Sequence, residues 1–260
     1  MFTNCENLIS INFTSHIKTD NISTFQNMFR NCISLVSIDL SNLNTSKVNN
    51  VSGMFSGCTK LKTVIIGKLN LQKVTNMNYL FYNCQLLEYI DIKGLQNTYK
   101  LKYMYEMFGY CRSLKEIDFS SFDMTCVEDI RYMFYQCDSL TYVNFSNHPR
   151  NKLKWMCFLF YWCSSLKSVD FNNFDTKNVT QMEYMFCGCS QITYLNLDSF
   201  NTSKVYNMNY IFNKCSNLSE LYISNFSNNS LVSYYYMFSN RSKIKIYSNP
   251  KFLEICNKFT

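Results

Sequence analysis

The sequence of 260 residues contains no alanine, and only two prolines and six glycines. Because alanine is the strongest helix former, any helices in this chain must be held by packing rather than by intrinsic propensity. So few prolines and glycines exclude collagen and are unusual for loop-rich folds. No apolar run approaches the roughly 18 residues that a transmembrane helix needs, so the sequence predicts no membrane span.

Charge of either sign is sparse and scattered. The net charge of +7 comes from 25 basic and 18 acidic residues. Nucleic-acid binders usually carry a dense basic patch, so this pattern predicts no nucleic-acid partner. Residues Met1 to Ser10 lack the basic and apolar regions of a secretory signal peptide. A composition that is 47% hydrophobic, with 22 Phe and 20 Tyr, instead predicts a folded chain with a large core.

A Phe-x-x-Cys unit recurs along the whole chain. Successive cysteines are 26 or 27 residues apart. A tenth copy has Phe238 with Arg241 in the place of the cysteine. A constant period of this length is typical of stacked repeat proteins. The nine complete copies are Phe2/Cys5, Phe29/Cys32, Phe55/Cys58, Phe81/Cys84, Phe108/Cys111, Phe134/Cys137, Phe160/Cys163, Phe186/Cys189 and Phe212/Cys215.

The first part of each unit has the spacing of an amphipathic helix. Its apolar residues occur at offsets 0, 3, 6, 7 and 10, as in Val48, Val51, Met54, Phe55 and Cys58. At about 100° per residue these positions fall on one arc, which predicts a short helix with one buried face.

The second part of each unit has the alternation of a strand. Ile38 and Leu40 flank the polar Asp39, which predicts one buried and one exposed face. Parallel strands from successive units would stack into one continuous sheet. The sequence therefore predicts an α/β repeat solenoid of the leucine-rich repeat class. We expect about ten 26-residue strand-plus-short-helix units, with a parallel sheet on one face.

The repeat occupies residues 1–260 as a single predicted domain. Met1-Phe2 corresponds to Met54-Phe55, so we expect the N-terminal cap to be missing and the chain to be a fragment or a truncated reading frame. Residues 241–260 are predicted to form the C-terminal cap. Pro250 ends the repeat there, and the tail KFLEICNKFT is expected to form a short helix.

The repeat resembles a known family. The string Leu-x-x-Ile-Asp-Leu-Ser-Asn-Phe-Asn-Thr-Ser-Lys-Val-x-Asn-Met-x-x-Met-Phe-x-x-Cys is similar to the repeat of BspA-like leucine-rich repeat surface proteins, which include mycoplasma lipoproteins. Clear copies lie at 35–58, 114–137, 166–189 and 195–215. The resemblance implies a surface-displayed solenoid with a role in adhesion or host-partner binding and without catalytic residues. It differs in that a signal peptide and a lipobox cysteine are not present.

Cysteine and histidine give no sign of a metal site, a cofactor or an active site. The nine repeat cysteines end the apolar arc, so we expect buried, unpaired thiols, whereas Cys126 and Cys187 are open to exposure. The off-register Cys157 and Cys256 are less determined. His16 and His148 are predicted to be solvated loop residues. No metal-ligand spacing or catalytic triad is present, so the sequence predicts no cofactor, no metal and no enzyme.

Two outward-facing columns on the predicted strands are the candidate binding surface. One follows the position of Asp39, and the other lies two residues earlier along each strand. The alternative is that the Asp and Asn residues only solvate the sheet and cap turns. The candidate site residues are Asp39, Tyr89, Asp91, Glu116, Asp118, Tyr142, Asn144, Asp170, Tyr194, Asn196 and Tyr222.

Two functions remain open from these patterns. The first is a monomeric surface adhesion or host-interaction module that binds protein or glycan through the exposed sheet. It would be located at the cell surface or secreted if an upstream signal exists. The alternative is a cytoplasmic protein-interaction scaffold. A lysine column is interpreted as a solvated edge or as a ridge for an anionic partner; it consists of Lys47, Lys73, Lys100, Lys152 and Lys204.

Overall fold

The computed structural model describes residues 1–13, 19–66, 69–238 and 244–258. The chain winds into a parallel β-solenoid of about nine turns, which we call rungs, so the predicted repeat solenoid is confirmed. All of the strand pairs are parallel. The register keeps equivalent residues of neighbouring rungs side by side, as in Ile38 and Val64.

The strands are short and fall into groups, and most of them lie on the predicted sheet side. They are β1 (Ser10–Ile11), β2 (Ser37–Asp39), β3 (Thr63–Ile65), β4 (Leu69–Asn70), β5 (Leu95–Gln96), β6 (Glu116–Asp118), β7 (Tyr142–Asn144), β8 (Ser168–Asp170), β9 (Tyr194–Asn196), β10 (Glu220–Ile223) and β11 (Lys245–Ser248). The sheets are ordered β1-β2-β3, β4-β5, β6-β7-β8 and β9-β10-β11, and β4 and β5 pair at a separate place in the rung, after the predicted strand position. Among the described residues, one 3-10 turn covers Ile92–Gly94.

A second parallel ladder lies on the other side of each rung. It is made of single bridging residues, beginning with the pair Thr24 and Asn50 and ending with Asn207 and Ser233. This ladder joins successive rungs from Thr24 to Ser233, whereas strand pairing joins neighbouring rungs within the groups given above. We call the surface that carries β2 (Ser37–Asp39) and its equivalents the strand side. We call the surface that carries the bridging residues, such as Asn50, and the turns that follow them the turn side.

The predicted short helices are wrong. Within the described ranges the only α-helix is α1 (Pro250–Asn257). The segment from Val48 to Cys58 is instead a chain of turns. The Cys58 amide donates to the Phe55 carbonyl at 3.0 Å, and the Phe55 amide donates to Leu80 of the next rung at 2.9 Å. Hydrogen bonds between rungs thus replace the hydrogen bonds along a helix.

Left-handed backbone conformations explain why these segments do not form helices. Each turn segment contains residues with positive φ, such as Gly53 (φ 61°), Gly57 (φ 77°), Asn31 (φ 58°) and Tyr79 (φ 59°). A positive φ breaks a right-handed helix and redirects the peptide groups. The buried positions nevertheless recur about every three residues, because each turn in the segment is about three residues long. This spacing is close to that of one face of an α-helix, so the two structures give similar sequence patterns.

The core is a set of columns that run along the solenoid. The repeat phenylalanines stack face to face; Phe134 lies 5.7 Å from Phe108 and 5.5 Å from Phe160 between ring centroids, with the planes within 4° of parallel. Side chains of this size bury a large apolar area, and offset stacking adds to it. The repeat phenylalanines from Phe29 to Phe238 are buried, as their place on the predicted apolar arc required.

The abundant asparagine residues have a structural use at the corners of the rungs. In the second rung Asp39, Asn44 and Asn50 each accept a hydrogen bond from the amide two residues later, at 2.8, 3.1 and 2.8 Å. Asp and Asn side chains form such turns readily. Each corner of this rung contains one Asp or Asn side chain with this hydrogen bond. The same requirement in other rungs explains much of the abundance of asparagine.

The last rung is followed by helix α1. The Asn249 side chain accepts a hydrogen bond from the Phe252 amide at 3.0 Å and so caps its start, and Pro250 opens it. Phe252 packs edge-on against Phe226 at 5.4 Å. The expected tail helix is present, whereas residues 241–243 and 259–260 of the predicted cap lie outside the described residues.

Candidate binding surfaces

The predicted site residues lie on the strand side, at equivalent positions of successive rungs. Tyr89 and Tyr194 are the most exposed aromatic members, at 59% and 49%. Asp39, Asp91, Glu116 and Asn196 are also exposed, and the others are half-buried. Tyr89 and Asp91 occupy the expected places but lie outside a strand, just before the 3-10 turn.

Strand pairing brings two sets of these residues together. In the central sheet Glu116 pairs with Tyr142, and Asn144 pairs with Asp118 on one side and Asp170 on the other. In the last sheet Tyr194 and Tyr222 lie 5.4 Å apart between ring centroids. Asp39 is separated from both sets along the solenoid axis, since its strand belongs to the first sheet.

Tyr247 is a member of this surface that the sequence analysis did not include. Its ring stacks on Tyr222 at 4.3 Å, and the residue is 43% exposed. The two tyrosines are paired in β10 and β11. Tyr247 lies 25 residues after Tyr222. This separation is close to the repeat period, so the sequence could have predicted that the two tyrosines lie side by side.

The Asp and Asn column caps turns. Asp118, Asn144, Asp170 and Asn196 each accept a hydrogen bond from the amide two residues later, at 2.8–2.9 Å. Asp39 does the same, and its hydrogen bonds with Ser41 lower the pKa of its carboxyl group. This column therefore has a structural role in the fold, whatever else it contacts.

Two depressions interrupt the strand side, one on each side of Tyr142. The first has a volume of about 270 Å³ and is bounded by Tyr89, Glu116 and Tyr142. The second has about 520 Å³ and lies between Tyr142 and Tyr194. Tyr142 thus forms a ridge between two concave surfaces. Other polar residues that line them are Asp91, Lys93, Asp118, Asn144, Ser168, Asp170, Asn196 and Asp198.

The repeat cysteines form a buried column, with one exception. Each thiol from Cys32 to Cys215 donates a hydrogen bond to the carbonyl of the repeat phenylalanine one rung earlier, at 3.0–3.2 Å. Burial raises the pKa of the Cys58 thiol to about 12. Cys5 is exposed, contrary to the prediction, because none of the described residues covers it on the side away from Cys32.

The off-register cysteines also differ in part from expectation. Cys187 is buried, although it was open to exposure in the sequence, because the next rung covers it; its sulfur lies 4.0 Å from Asn213. Cys157 and Cys256 are buried as well, and Cys126 is half-buried.

The interpretation of His148 as a solvated residue is wrong. Its side chain is 6% exposed, and Nε2 lies 3.0 Å from the Phe119 carbonyl. A carbonyl only accepts, so Nε2 carries the proton. Burial lowers the pKa of this imidazole, which favours the neutral form. His16 lies outside the described residues.

The lysine column lies at an exposed edge. Lys47 and Lys204 donate to asparagine side chains of the preceding rung, Asn21 at 3.1 Å and Asn178 at 2.8 Å. Lys73, Lys100 and Lys152 are exposed. These contacts favour the interpretation of a solvated edge.

An aromatic row on the turn side was missed by the sequence analysis. The rings of Tyr132, Phe158, Tyr184, Tyr210 and Tyr236 stack in this order, with centroids 4.4–5.1 Å apart. All five stand two residues before the repeat phenylalanine. Aromatic residues at one constant position of the repeat could have indicated this row. On the predicted helix, however, that position lies on the face exposed to solvent.

In the described part of the chain, no group of three or more His, Cys, Asp and Glu residues has the arrangement to hold a metal ion. The described residues also include no helix with the length and apolar character to traverse a bilayer.

Comparison with known proteins yields a family and several solved structures, whereas no curated protein matches the sequence. A leucine-rich repeat protein of T. pallidum is 21% identical over 71% of this chain and 78% of that chain, with a TM-score of 0.49. A leucine rich cell surface protein from Faecalibacterium prausnitzii A2-165 is 14% identical over 84% and 76%, with a TM-score of 0.31. An internalin from Listeria monocytogenes is 14% identical over 83% and 80%, with a TM-score of 0.23.

The sequence profile of one family matches in three overlapping segments, residues 1–94, 62–165 and 154–249. These segments together span most of the solenoid. The chain therefore belongs to the family described as Mycoplasma protein of unknown function, DUF285.

Proposed function

We propose that this chain is a non-catalytic binding module that holds a protein partner against its strand side. The observation that carries the proposal is the pair of depressions on either side of Tyr142, both lined by residues of the two outward columns. Concave surfaces of repeat solenoids are suited to extended partners. Tyrosine ridges are also frequent anchors of protein interfaces.

The charge of this surface indicates the kind of partner. Glu116, Asp118 and Asp170 lie around the two depressions, with Lys93 at one margin. An acidic surface of this kind steers and orients partners that present Lys or Arg side chains. We therefore propose a protein with a basic contact region that rests on Tyr89, Tyr142 and Tyr194.

Display at the cell surface is part of this proposal. The repeat string resembles that of BspA-like surface proteins, which implies adhesion or contact with a host protein. Protease shaving and surface biotinylation of intact cells test the location. A protein that stays protected until lysis would favour the alternative, a cytoplasmic scaffold that uses the same surface.

A triple variant tests the binding surface. Tyr89→Ala, Tyr142→Ala and Tyr194→Ala are combined, and the partner recovered by the parent chain is purified and titrated against both proteins. Loss of an interface anchor costs about 2 kcal/mol or more, so we expect at least about a 30-fold weaker Kd. Tyr89 and Tyr194 are exposed, so their replacement should change the free energy of unfolding by no more than about 0.5 kcal/mol each. Tyr142 is half-buried, so circular dichroism and a thermal melt establish that the triple variant is folded.

The matched control combines three tyrosines that are exposed elsewhere on the molecule, Tyr99, Tyr206 and Tyr235, at 45%, 42% and 67%. Their replacement by Ala should leave the Kd unchanged. Equal losses in both triple variants, or unchanged binding in the first, would place the partner on another surface.

A further inference from the structure

The turn side of the solenoid differs between its early and its later rungs. From Tyr132 onwards the aromatic row is continuous, and each ring covers the face of the next at 4.4–5.1 Å. Rings within such a row present mainly their edges to solvent. A free aromatic face is therefore expected only where the aromatic surface stops.

Toward the earlier rungs, the aromatic surface stops at Tyr79 and Tyr82. The equivalent residues of the preceding rung are Gly53 and Ser56, which have no ring. Tyr79 makes edge contacts with Tyr82 in its own rung at 5.6 Å and with Tyr105 in the following rung at 5.3 Å. The side of both rings that faces the earlier rungs borders a cavity of about 660 Å³.

The floor of this cavity is made of small, buried residues. Ser52 and Ser56 are each 8% exposed. Gly53 has φ 61°, and a Cβ at this position would collide with the Asn27 side-chain oxygen. The low floor therefore depends on the absence of a side chain at Gly53, because a larger residue there would require the Asn27 side chain to move.

Polar side chains surround the floor. Gln26, Asn27 and Arg30 line the side opposite the tyrosines. Asn76 and Asn78 line the rim, where the Asn78 side-chain oxygen accepts from the Tyr105 amide at 2.8 Å and is thereby held in place. Amide side chains both donate and accept, which matches the hydroxyl groups of a polyol.

The charges in the cavity are balanced. Arg30 is cationic, and Glu106, which lines the same cavity, is the acidic group. Burial raises the pKa of the Glu106 carboxyl group. One cation and one half-buried acid give no cluster that would hold a phosphate or another strong anion.

The shape also distinguishes between flat and puckered ligands. The Tyr79 and Tyr82 ring planes meet at 84°, so they form a corner rather than a parallel slot. A flat base stacks best in a slot, whereas a puckered ring can place C–H groups against two walls. The faces of aromatic rings are electron-rich and attract such C–H groups.

We propose that this cavity binds a neutral pyranose sugar, which packs its C–H face against Tyr79 and Tyr82 and hydrogen-bonds to Gln26, Asn27 and Arg30. The volume of 660 Å³ lies within the range of about 300–1,000 Å³ that is usual for small-ligand sites. The site is distinct from the strand-side surface and does not depend on it.

The full chain is tested against methyl pyranosides of glucose, galactose, mannose and N-acetylglucosamine, and against cellobiose, lactose and chitobiose. Saturation-transfer NMR detects binding, and titration gives the Kd. We expect at least one sugar to bind. Tyr82→Ala should weaken its binding about 2- to 12-fold, as expected for loss of one aromatic contact.

Two further variants sharpen the test. Ser56→Tyr places a ring where other rungs already carry Tyr82, Tyr135 and Tyr161, so it should fill the cavity and abolish binding without loss of stability. Tyr210→Ala, in the continuous row, should leave the Kd unchanged. Circular dichroism and thermal melts establish that each variant is folded.

The proposal is overturned if no sugar in the panel binds, or if Ser56→Tyr and Tyr82→Ala both bind as the parent does. Equal weakening by Tyr210→Ala would also overturn it. The triple variant of Tyr89, Tyr142 and Tyr194 should retain sugar binding, because those residues lie on the strand side. This variant separates failure of the protein-binding proposal from failure of the sugar-binding proposal.

Discussion

The first rung and a central rung carry the same motif in different surroundings. Phe134 and Cys137 are fully buried, whereas Phe2 is half-buried and Cys5 is exposed. The Phe134 ring is stacked on both faces, whereas among the described residues the Phe2 ring stacks on Phe29 alone, at 5.2 Å. The motif thus selects which residues point inward, and the neighbouring rungs decide how far they are removed from water.

The largest expected contrast is in thiol reactivity. Cys5 and the half-buried Cys126 should react with iodoacetamide in the native state, and Cys137 should not. Exposure of Cys137 requires an opening that costs a large part of the unfolding free energy, so its rate should be at least about a thousandfold lower. Burial also raises the pKa of the Cys137 thiol.

Mass spectrometry of the alkylated peptides over time measures these rates. Denatured protein, in which all thiols react, is the control. Labelling of Cys137 as fast as Cys5 would show that the column of thiols is not a buried part of the stack.

Phenylalanine truncation measures the same contrast as a free energy of unfolding. Phe134→Ala should cost about 3–5 kcal/mol, as for other fully buried aromatic residues. Phe2→Ala should cost much less, because its ring has only one stacked neighbour. Urea unfolding of both variants decides this, and equal losses would favour a closed globular core over a linear stack.

The burial of His148 in the central rungs should make the free energy of unfolding depend on pH. Its pKa is lowered in the folded state, so folding favours the neutral imidazole. The stability is therefore complete above the unfolded pKa of about 6.5 and falls as the pH drops below it, by up to about 1.4 kcal/mol per pH unit.

Urea midpoints between pH 7.5 and 5 measure this dependence in the parent chain and in His148→Gln, which should lose it. His16→Gln is the matched histidine control. If the acid sensitivity persists in His148→Gln but disappears in His16→Gln, the effect does not come from the central rung.

The smallest expected loss of unfolding free energy comes from substitutions at the corners of the rungs. This loss should be the same in early and later rungs. Asp39 in an early rung and Asp170 in a later one make the same local hydrogen bond, at 2.8 Å in each case. Because this bond lies within one rung, each Asp→Ala change should cost about 1 kcal/mol, in the range of a lost side-chain cap.

Asp39→Asn and Asp170→Asn are the conservative controls and should be close to neutral, since Asn144 already makes the same bond. Thermal or urea unfolding gives the comparison. A loss at Asp170 several times that at Asp39 would mean that the corners also depend on neighbouring rungs.

Much of the fold could be predicted from the repeat. Three features could not: the turn segments, the burial of His148, and the free faces of Tyr79 and Tyr82. The helix prediction failed because residues three apart are neighbours both on a helix and in a chain of turns. His148 was assigned to solvent because histidine is polar, although the residue that pairs with it in the next rung is the buried Phe174. Tyr79 and Tyr82 were overlooked because their free faces depend on Gly53 and Ser56 of the preceding rung.

Four features could be established from the amino-acid sequence alone: the period, the buried Phe and Cys positions, the outward column of Asp and Asn, and the tail helix after Asn249. All of these follow from local spacing and local hydrogen-bonding capacity. Only the tertiary structure decided that the turn segments hydrogen-bond across rungs, that Cys5 is exposed while Cys187 is covered, and where the aromatic surface stops. Those outcomes depend on which residues stack from adjacent rungs, about 26 positions away in the chain.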